Sequence, residues 1–264
     1  EAANPQADVL FGGGQAQMTS NLDLWAEYIS PNDANMFPQS RNTTGFITPF
    51  ESDGSVLLVN TDLTQKLGIE INGYKDLLQP ELKGKIAFGD PSQSSSAFAH
   101  LTNMLLAVGG GYEAEAAWEF VGDLLDQLDG VTIGSSSQVA QDVANGELVV
   151  GLSYEPLSLN YVNSGAPVKI VYMEEGTVFL NGVIQIVKGA HNMPAAQAFV
   201  DFMTSEAGQT ILAEQTPGRP TRDDVEKPGV VPFADIHTLV EDDMWVSENR
   251  DEIVARYQSL LAAH

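Results

Sequence analysis

Serine side chains crowd two points of the chain where a short apolar run gives way to a helix-like pattern. The members are Ser92, Ser94, Ser95 and Ser96 in "GDPSQSSSAFAH" and Ser135, Ser136 and Ser137 in "IGSSSQVAQDV". One serine oxygen is enough to cap a helix start, so the surplus hydroxyls indicate a second role. Together with the positive end of the helix dipole, they can hold a phosphate, phosphonate or carboxylate without a basic side chain. Each cluster alone is more typical of ordinary capping.

Two further loops follow apolar strands and are expected to face the same crevice. Gly13 and Gly14 end the run "VLFGGG", and Tyr154 and Glu155 end the run "LVVGLSYE". Ligands of α/β proteins bind outside the carboxyl ends of parallel strands, where these loops and both serine clusters should meet. Glu155 can accept hydrogen bonds from ligand hydroxyls or pair with an ammonium group. A plain tight turn and a solvent-exposed strand end are the alternatives for the two loops.

The sequence contains no recognisable catalytic motif. G-x-S-x-G, H-E-x-x-H, the P-loop and G-x-G-x-x-G are all missing, and the chain has no cysteine. A convergent acid/base pair cannot be assembled from these residues either. The sequence therefore predicts a non-enzymatic binding protein with no catalytic residue, no metal ligand and no cofactor.

The charge of the chain narrows the class of partner. With 36 acidic and 12 basic residues the net charge is −24, which disfavours binding to nucleic acids and to anionic membranes. Because the acids are spread out rather than clustered, they are typical of a soluble surface, as in a protein from a salty habitat. Hydrophobic residues make up 43% of the chain, enough for a packed core, and the best apolar runs are strand-sized.

Strand-like and helix-like segments alternate along the chain, which predicts an α/β fold with a largely parallel sheet. Apolar spacing predicts a helix over 16–29, and an extended segment over 45–63 is expected to break at Glu51–Gly54. The segment "GVTIG" (130–134) predicts a strand. A helix pair is predicted to break at Gly208, and a closing helix is predicted over 247–264.

On these segments the chain resembles the extracellular solute-binding proteins of ABC transporters, in the type 2, ferric-ion-binding-like group that includes phosphonate and sugar-phosphate binders. The resemblance spans nearly the whole chain in order. It is carried by "NPQADVLFGGG", "GSVLLVNTDL", "LKGKIAFGDPSQSSSAF", "SSSQVAQDVANGELVVGLSYE", "GAPVKIVYMEEGT" and "IVKGAHNMPAAQAFVDFMTSEAGQTIL".

The resemblance implies two α/β lobes joined by crossing strands near 50–54 and 176–181, with a ligand in the cleft between the lobes. One lobe would be 1–53 plus 179–264 and the other 54–178, and Asn181, at the second crossing, joins the candidate ligand-binding residues. It also implies that a first strand–helix–strand unit of the family lies upstream of residue 1.

The resemblance further implies high-affinity capture of a small anionic solute for delivery to an ABC permease in the membrane. The family's iron binders use two adjacent tyrosines, whereas Tyr154 and Tyr161 are separated here by "EPLSLN". A phosphorylated or phosphonate ligand is therefore expected; ferric iron or an iron chelate, and a ligand-sensing receptor module, are the alternatives. The implied protein is a monomer that is periplasmic or extracellular, either free or lipid-anchored.

Overall fold

The computed structural model describes residues 6–19, 21–130 and 133–264 as a mixed α/β protein. The strands are β1 (Val9–Gly14), β2 (Thr48–Asn60), β3 (Ile86–Ala87), β4 (Val150–Tyr154), β5 (Val168–Val171), β6 (Thr177–Ile186), β7 (Arg219–Pro220) and β8 (Thr238–Leu239). The helices are α1 (Gln15–Met18), α2 (Thr61–Leu67), α3 (Ser95–Gly109), α4 (Glu115–Leu128), α5 (Ser136–Ala144), α6 (Glu155–Asn163), α7 (Met193–Thr204), α8 (Glu206–Gln215) and α9 (Asp243–Leu261). Within these ranges, no helix combines the length and the apolar character needed to cross a bilayer.

The residues group into two compact units. The chain passes from one to the other inside β2, β6 and α9, and also between Pro232 and Phe233 and between Glu241 and Asp242. The first unit comprises the described residues of Glu1–Asp53, Leu180–Pro232 and Asp242–Glu248, and the second comprises those of Gly54–Phe179, Phe233–Glu241 and Asn249–His264. The lobe boundaries expected from the sequence stay a prediction. The units differ from them by grouping Phe179, Phe233–Glu241 and Asn249–His264 with the second unit.

In the second unit, a small sheet is covered by helices whose apolar faces the sequence spacing defines. β4 pairs antiparallel with β2 and parallel with β3, while β5 pairs antiparallel with β2. α5 covers one face, where Val139, Ala140 and Val143 pack with Leu58 and Ala87 in one buried cluster. α3 begins after Ser94 and ends where Gly110 adopts φ 71°, a left-handed conformation that favours glycine.

In the first unit, β1 pairs antiparallel with β6, and β2 pairs antiparallel with β7. Its core is formed by two strands and by the helix pair α7 and α8. The buried members are Phe50, Ile184, Ile186, Ala196, Val200 and Leu212. The helix pair breaks at Ser205, not at the predicted Gly208: the Ser205 hydroxyl accepts a hydrogen bond from the Gly208 amide at 3.1 Å, and Gly208 lies inside α8.

The prediction of a largely parallel sheet is wrong. Within the described ranges, β3 with β4, β6 with β8 and a single bridge between Gly89 and Ile133 pair in parallel, whereas β1 with β6 and β2 with β4, β5 and β7 pair antiparallel. The long strands β2 and β6 are responsible, because the strands that pair with β2 in both units, and β1 beside β6, run antiparallel to them. Apolar periodicity locates such strands but carries no information on their direction.

Three local predictions also fail, each for a local reason. The predicted helix over 16–29 ends at Met18, because Asn21 adopts a left-handed φ of 58° and the Ala26 amide bonds to the Ile186 carbonyl oxygen at 2.8 Å. β2 runs through Glu51–Gly54 without the predicted break. The closing helix begins at Asp243, earlier than predicted. Of the predicted strand over 130–134, residues 131 and 132 lie outside the described residues.

Close packing of α5 on β4 leads to a prediction at Gly151. A Cβ at this position would lie 2.9 Å from Val139 Cγ1, 3.0 Å from Val143 Cγ2 and 3.3 Å from the Val139 carbonyl oxygen. We expect Gly151→Ala to reduce the free energy of unfolding by about 1–3 kcal/mol, because the added methyl forces the helix away from the strand.

Urea denaturation measures this change, and Gly111→Ala is the matched control. Nothing lies within 4 Å of a Cβ at Gly111, so that variant should be as stable as the parent or slightly more stable. Equal stability of the two variants would contradict the assigned packing.

Candidate functional site

Three strand ends of the second unit lie side by side, and we call this region the serine edge. It comprises the loop Asp90–Ser94 after β3, the loop Gly134–Ser135 after Ile133, and the junction of β4 and α6 at Tyr154–Glu155. The Ile133 amide donates to the Phe88 carbonyl oxygen at 2.8 Å, and the Asp90 amide donates to the Ile133 carbonyl oxygen at 3.1 Å. Because β3 is parallel to both neighbours, the three carboxyl ends meet at one edge. α3, α5 and α6 all begin there.

At the start of α3, the serines have different tasks. The buried Ser94 caps the helix, since its hydroxyl accepts from the Ala97 amide at 3.3 Å and also pairs with Ser96 Oγ at 3.1 Å. Asp90 shapes the loop by accepting from the Ser92 amide at 2.8 Å and, through its carbonyl, from the Ser94 amide at 2.9 Å. Ser95 is exposed, and Ser92 accepts from the Gln93 side-chain amide. This helix start is therefore largely satisfied internally.

At the start of α5, by contrast, the serine side chain at the capping position makes no capping bond. Ser135 has extended φ and ψ of −134° and 128°, but its side chain makes no capping hydrogen bond to the first turn. Ser135 and Ser137 are exposed, and Ser136 is half-buried. A helix start whose amides and hydroxyls face solvent offers donors and positive dipole character to an anion.

Two buried hydroxyls belong to β4 and α6, the elements that follow α5 along the chain. Ser153 Oγ and Ser158 Oγ are almost fully buried and have no hydrogen-bond partner among the described residues. Gly151 faces α5, and alternate residues of a strand point to the same side, so the Ser153 side chain also faces the α5 layer. A buried hydroxyl without a partner costs stability, which is a common feature of functional sites.

Glu155 is engaged within the protein rather than exposed at a strand end. It is the first residue of α6 and fully buried, and the Tyr172 hydroxyl donates to its Oε1. Its carboxylate also lies at the positive end of the α6 dipole. Tyr172 stacks on Phe179 with ring centroids 6.4 Å apart, and Phe179 meets Phe233 edge-on at 4.7 Å. That Glu155 and the half-buried Tyr154 contact a ligand stays a prediction.

A buried histidine ties α3 to the end of β4, and sequence reasoning did not identify it. His100 Nε2 lies 2.6 Å from the Ser153 carbonyl oxygen, and Nδ1 lies 2.9 Å from the Tyr74 hydroxyl. Since the carbonyl can only accept, Nε2 donates and Nδ1 accepts from Tyr74. Burial lowers the pKa of His100 to about 4, more than its backbone hydrogen bonds raise it.

The remaining predicted site residues belong to the first unit. Gly13 has φ 89°, and Asn181 is buried in a polar network. Its Oδ1 accepts from the Ser40 hydroxyl at 3.1 Å, and its amide donates to Gln15 Oε1 at 3.2 Å. Gln15, which follows Gly14, donates in turn to Asp243 Oδ2 at 2.8 Å. The role of Gly13, Gly14 and Asn181 in ligand binding stays a prediction.

No group of three or more His, Cys, Asp or Glu side chains in the described part of the chain could hold a metal ion. Tyrosine, a ligand of ferric iron, is not among these residue types. The donors at the serine edge are instead mostly hydroxyls and backbone amides, which suit an anion. The arrangement can therefore bind and orient an oxyanion.

Comparison with known proteins gives a consistent result over most of the chain. Residues 6–244 match the family described as bacterial extracellular solute-binding protein. An uncharacterized protein of Haemophilus influenzae is 31% identical over 224 residues, which are 81% of this chain and 63% of that protein. A Salmonella typhimurium protein, whose name proposes 2-aminoethylphosphonate binding in the periplasm, is 23% identical over 85% of this chain and 65% of its own length.

Among solved structures, the periplasmic binding protein AfuA from Actinobacillus pleuropneumoniae, with exogenous fructose-6-phosphate bound, matches with a TM-score of 0.80. The two sequences are 26% identical, and the match covers 99% of this chain and 84% of the AfuA chain. The similarity supports the mixed α/β fold. This chain spans less than two thirds of the length of the two curated relatives, 63% and 65%.

The different tasks of the serines predict different costs on removal. Ser94→Ala removes the α3 cap and should lower the free energy of unfolding by about 1 kcal/mol. Ser135→Ala should change it little, because the Ser135 side chain makes no capping bond. Urea denaturation of both variants tests this, and equal losses would show that Ser135 also caps its helix.

Buried His100 predicts a loss of stability in acid. An unfolded histidine takes up a proton near pH 6.5, whereas the folded one does so only near pH 4. The unfolded state therefore binds more protons in this window, and the free energy of unfolding should fall by up to about 3 kcal/mol as the pH is lowered from 6.5 to 4. Below pH 4 this group contributes no further loss.

A pH series of melting curves measures the fall, with His100→Gln as the reference that lacks the titration. NMR titration of the His100 ring in the parent protein gives the same information without a variant. A ring that titrates near pH 6.5 would contradict the prediction.

Proposed function

Because the chain belongs to the bacterial extracellular solute-binding proteins, we propose that it captures a small solute with high affinity outside the cytoplasm for delivery to an ABC importer. The observation that carries the ligand class is the α5 helix start, where serine hydroxyls and amides face solvent at a strand end. The solute is an organic phosphate or phosphonate. Binding and release are the whole task, with no chemical change to the solute.

Three features support an oxyanion at this position. The α5 dipole and its free first-turn amides favour negative charge. Ser135, Ser136 and Ser137 add hydroxyl donors, and none of these donors carries a charge that would hold the anion too tightly for release. Ser153 contributes a buried hydroxyl without a partner beneath the same helix layer. α3 adds Ser95 and Ser96 at the neighbouring loop, while Ser94 is occupied as a cap.

The relatives support the same class of solute. AfuA is similar to this chain along nearly its whole length and was solved with a sugar phosphate. The name of the Salmonella relative proposes an aminophosphonate. Both solutes share a tetrahedral oxyanion on a small organic body, which is the group that the serine edge suits. Ferric iron is the competing outcome of the binding test, and a ligand-sensing receptor role is the other alternative.

Calorimetric titration with fructose 6-phosphate, 2-aminoethylphosphonate, inorganic phosphate and ferric citrate tests the proposal. We expect at least one organic phosphate or phosphonate to bind. Replacing Ser135, Ser136 and Ser137 together with Ala should weaken its binding on the order of a hundredfold, at about 1 kcal/mol for each lost hydrogen bond.

The matched control is Ser205→Ala, which removes a capping serine from α8 in the first unit and should leave the affinity unchanged. Binding of iron alone, or full affinity in the triple variant, would overturn the proposal. Native mass spectrometry of the purified protein then identifies any solute that accompanies it from the cell.

A further inference from the structure

Glu51 lies in the first unit, in the middle of β2, and its carboxylate occupies a space that only glycines leave open. A Cβ on Gly182 of β6 would lie 2.8 Å from Glu51 Cγ and Oε1. A Cβ on Gly218, just before β7, would lie 2.7 Å from Glu51 Oε2. Both carboxylate oxygens thus lie against backbone that carries no side chain. A side chain at Gly182 or Gly218 would displace the Glu51 carboxylate.

This carboxylate has no partner among the described residues, although it is half-buried. Burial alone raises the pKa of Glu51. Elsewhere in this unit Asp201, for example, is satisfied: its Oδ1 accepts from the Tyr28 hydroxyl at 2.9 Å and from the Ser30 hydroxyl at 2.7 Å. Partial burial of a carboxylate that has no protein donor costs stability, which is a common feature of ligand-binding sites.

The basic side chains of the unit are engaged elsewhere. Arg41 donates to two backbone carbonyls, Lys188 to the Asp23 carbonyl, and Arg222 to the Asp224 carboxylate. The adjacent titratable groups on the paired strands, Asp53 and Arg219, have contacts of their own. Lys227 likewise donates to the Ala213 carbonyl oxygen. None of the described cations forms an ion pair with Glu51, whose pKa is raised by burial without any contribution from a neighbouring charge.

Space for a small group lies beside the carboxylate. Gly14 of β1 is opposite Gly182 in the strand register, and nothing lies within 4 Å of a Cβ built on it. Gly14 and Gly182 thus form a surface without side chains next to Glu51. Two carboxylate oxygens over such a surface accept hydrogen bonds and offer none.

We infer that Glu51 and the glycines beneath it form a subsite for a primary ammonium group. An ammonium is compact, carries three donors and needs one carboxylate, whereas a metal ion needs several ligands that the described residues do not group together. The net charge of −24 also favours a cation at this point. Every residue of the subsite belongs to the first unit, so the inference is independent of the serine edge.

Carbon-13 NMR of the Glu51 carboxyl group tests the subsite directly, with its signal assigned through bonds in the intact chain. The probes are ethanolamine and ethylene glycol, which differ only in that an ammonium replaces one hydroxyl. We expect ethanolamine at millimolar concentration to shift the Glu51 signal and lower the pKa of Glu51, because a bound cation favours the charged carboxylate. Ethylene glycol should do neither.

Two glycine variants distinguish the subsite from a general effect of charge. Gly182→Ala places a methyl group against the carboxylate and should abolish the response, whereas Gly111→Ala, in open space, should retain it. Glu51→Gln should lose ethanolamine binding while its affinity for inorganic phosphate is unchanged. An unshifted Glu51 signal, or equal responses to both probes, overturns the inference. Failure of every organic phosphate and phosphonate to bind overturns only the function proposed for the serine edge.

Discussion

The serine edge depends on two backbone hydrogen bonds that join Ile133 to the end of β3. The Ile133 amide bonds to the Phe88 carbonyl oxygen, and the Ile133 carbonyl oxygen bonds to the Asp90 amide. These bonds make the two strand ends parallel neighbours, so the helices that follow must begin at the same edge. Without them, two serine clusters about 40 residues apart in the chain would be two unrelated helix caps. The proposed oxyanion site is a consequence of this local parallel pairing inside a sheet that is mainly antiparallel.

The helix starts are held in place by contacts that tolerate little change. Gly151 lets α5 approach β4 closely enough that a methyl group would not fit. On the same strand, the Ser153 carbonyl accepts from the neutral imidazole of His100, and Tyr74 fixes the other ring nitrogen. The contact at Gly151 is steric and positions α5 against β4. The hydrogen bond of His100 is polar and positions α3 against the same strand. A preorganised binding site requires such support, because donors that become ordered only on binding lose conformational entropy and so weaken the affinity.

The sequence was sufficient to predict the α/β class, the serine-rich helix starts and the position of several strands, because apolar periodicity and capping residues are local signals. It did not predict strand direction, since β2 and β6 look the same in either orientation. Nor did it identify His100 or Tyr172, whose partners lie 26 to 53 and 17 residues away and carry no motif. For the serines, the sequence predicts that each cluster supplies a helix cap, but not which serine of the cluster does so. Only the fold shows that Ser94 caps its helix and that the Ser135 side chain does not.

Two acidic residues with restricted access to solvent differ in whether the protein supplies a hydrogen-bond donor to the carboxylate. Glu155 is fully buried yet lies at a helix N-terminus and receives the Tyr172 hydroxyl, so its charge is compensated internally. Glu51 is less buried but receives nothing from the described residues, and glycines on two strands keep its surroundings clear. A sequence pattern treats both as polar residues in or after a strand, which is why it predicts a break in β2 at Glu51. The difference in compensation distinguishes Glu155, whose carboxylate has a donor within the protein, from Glu51, to which we assign the ammonium subsite.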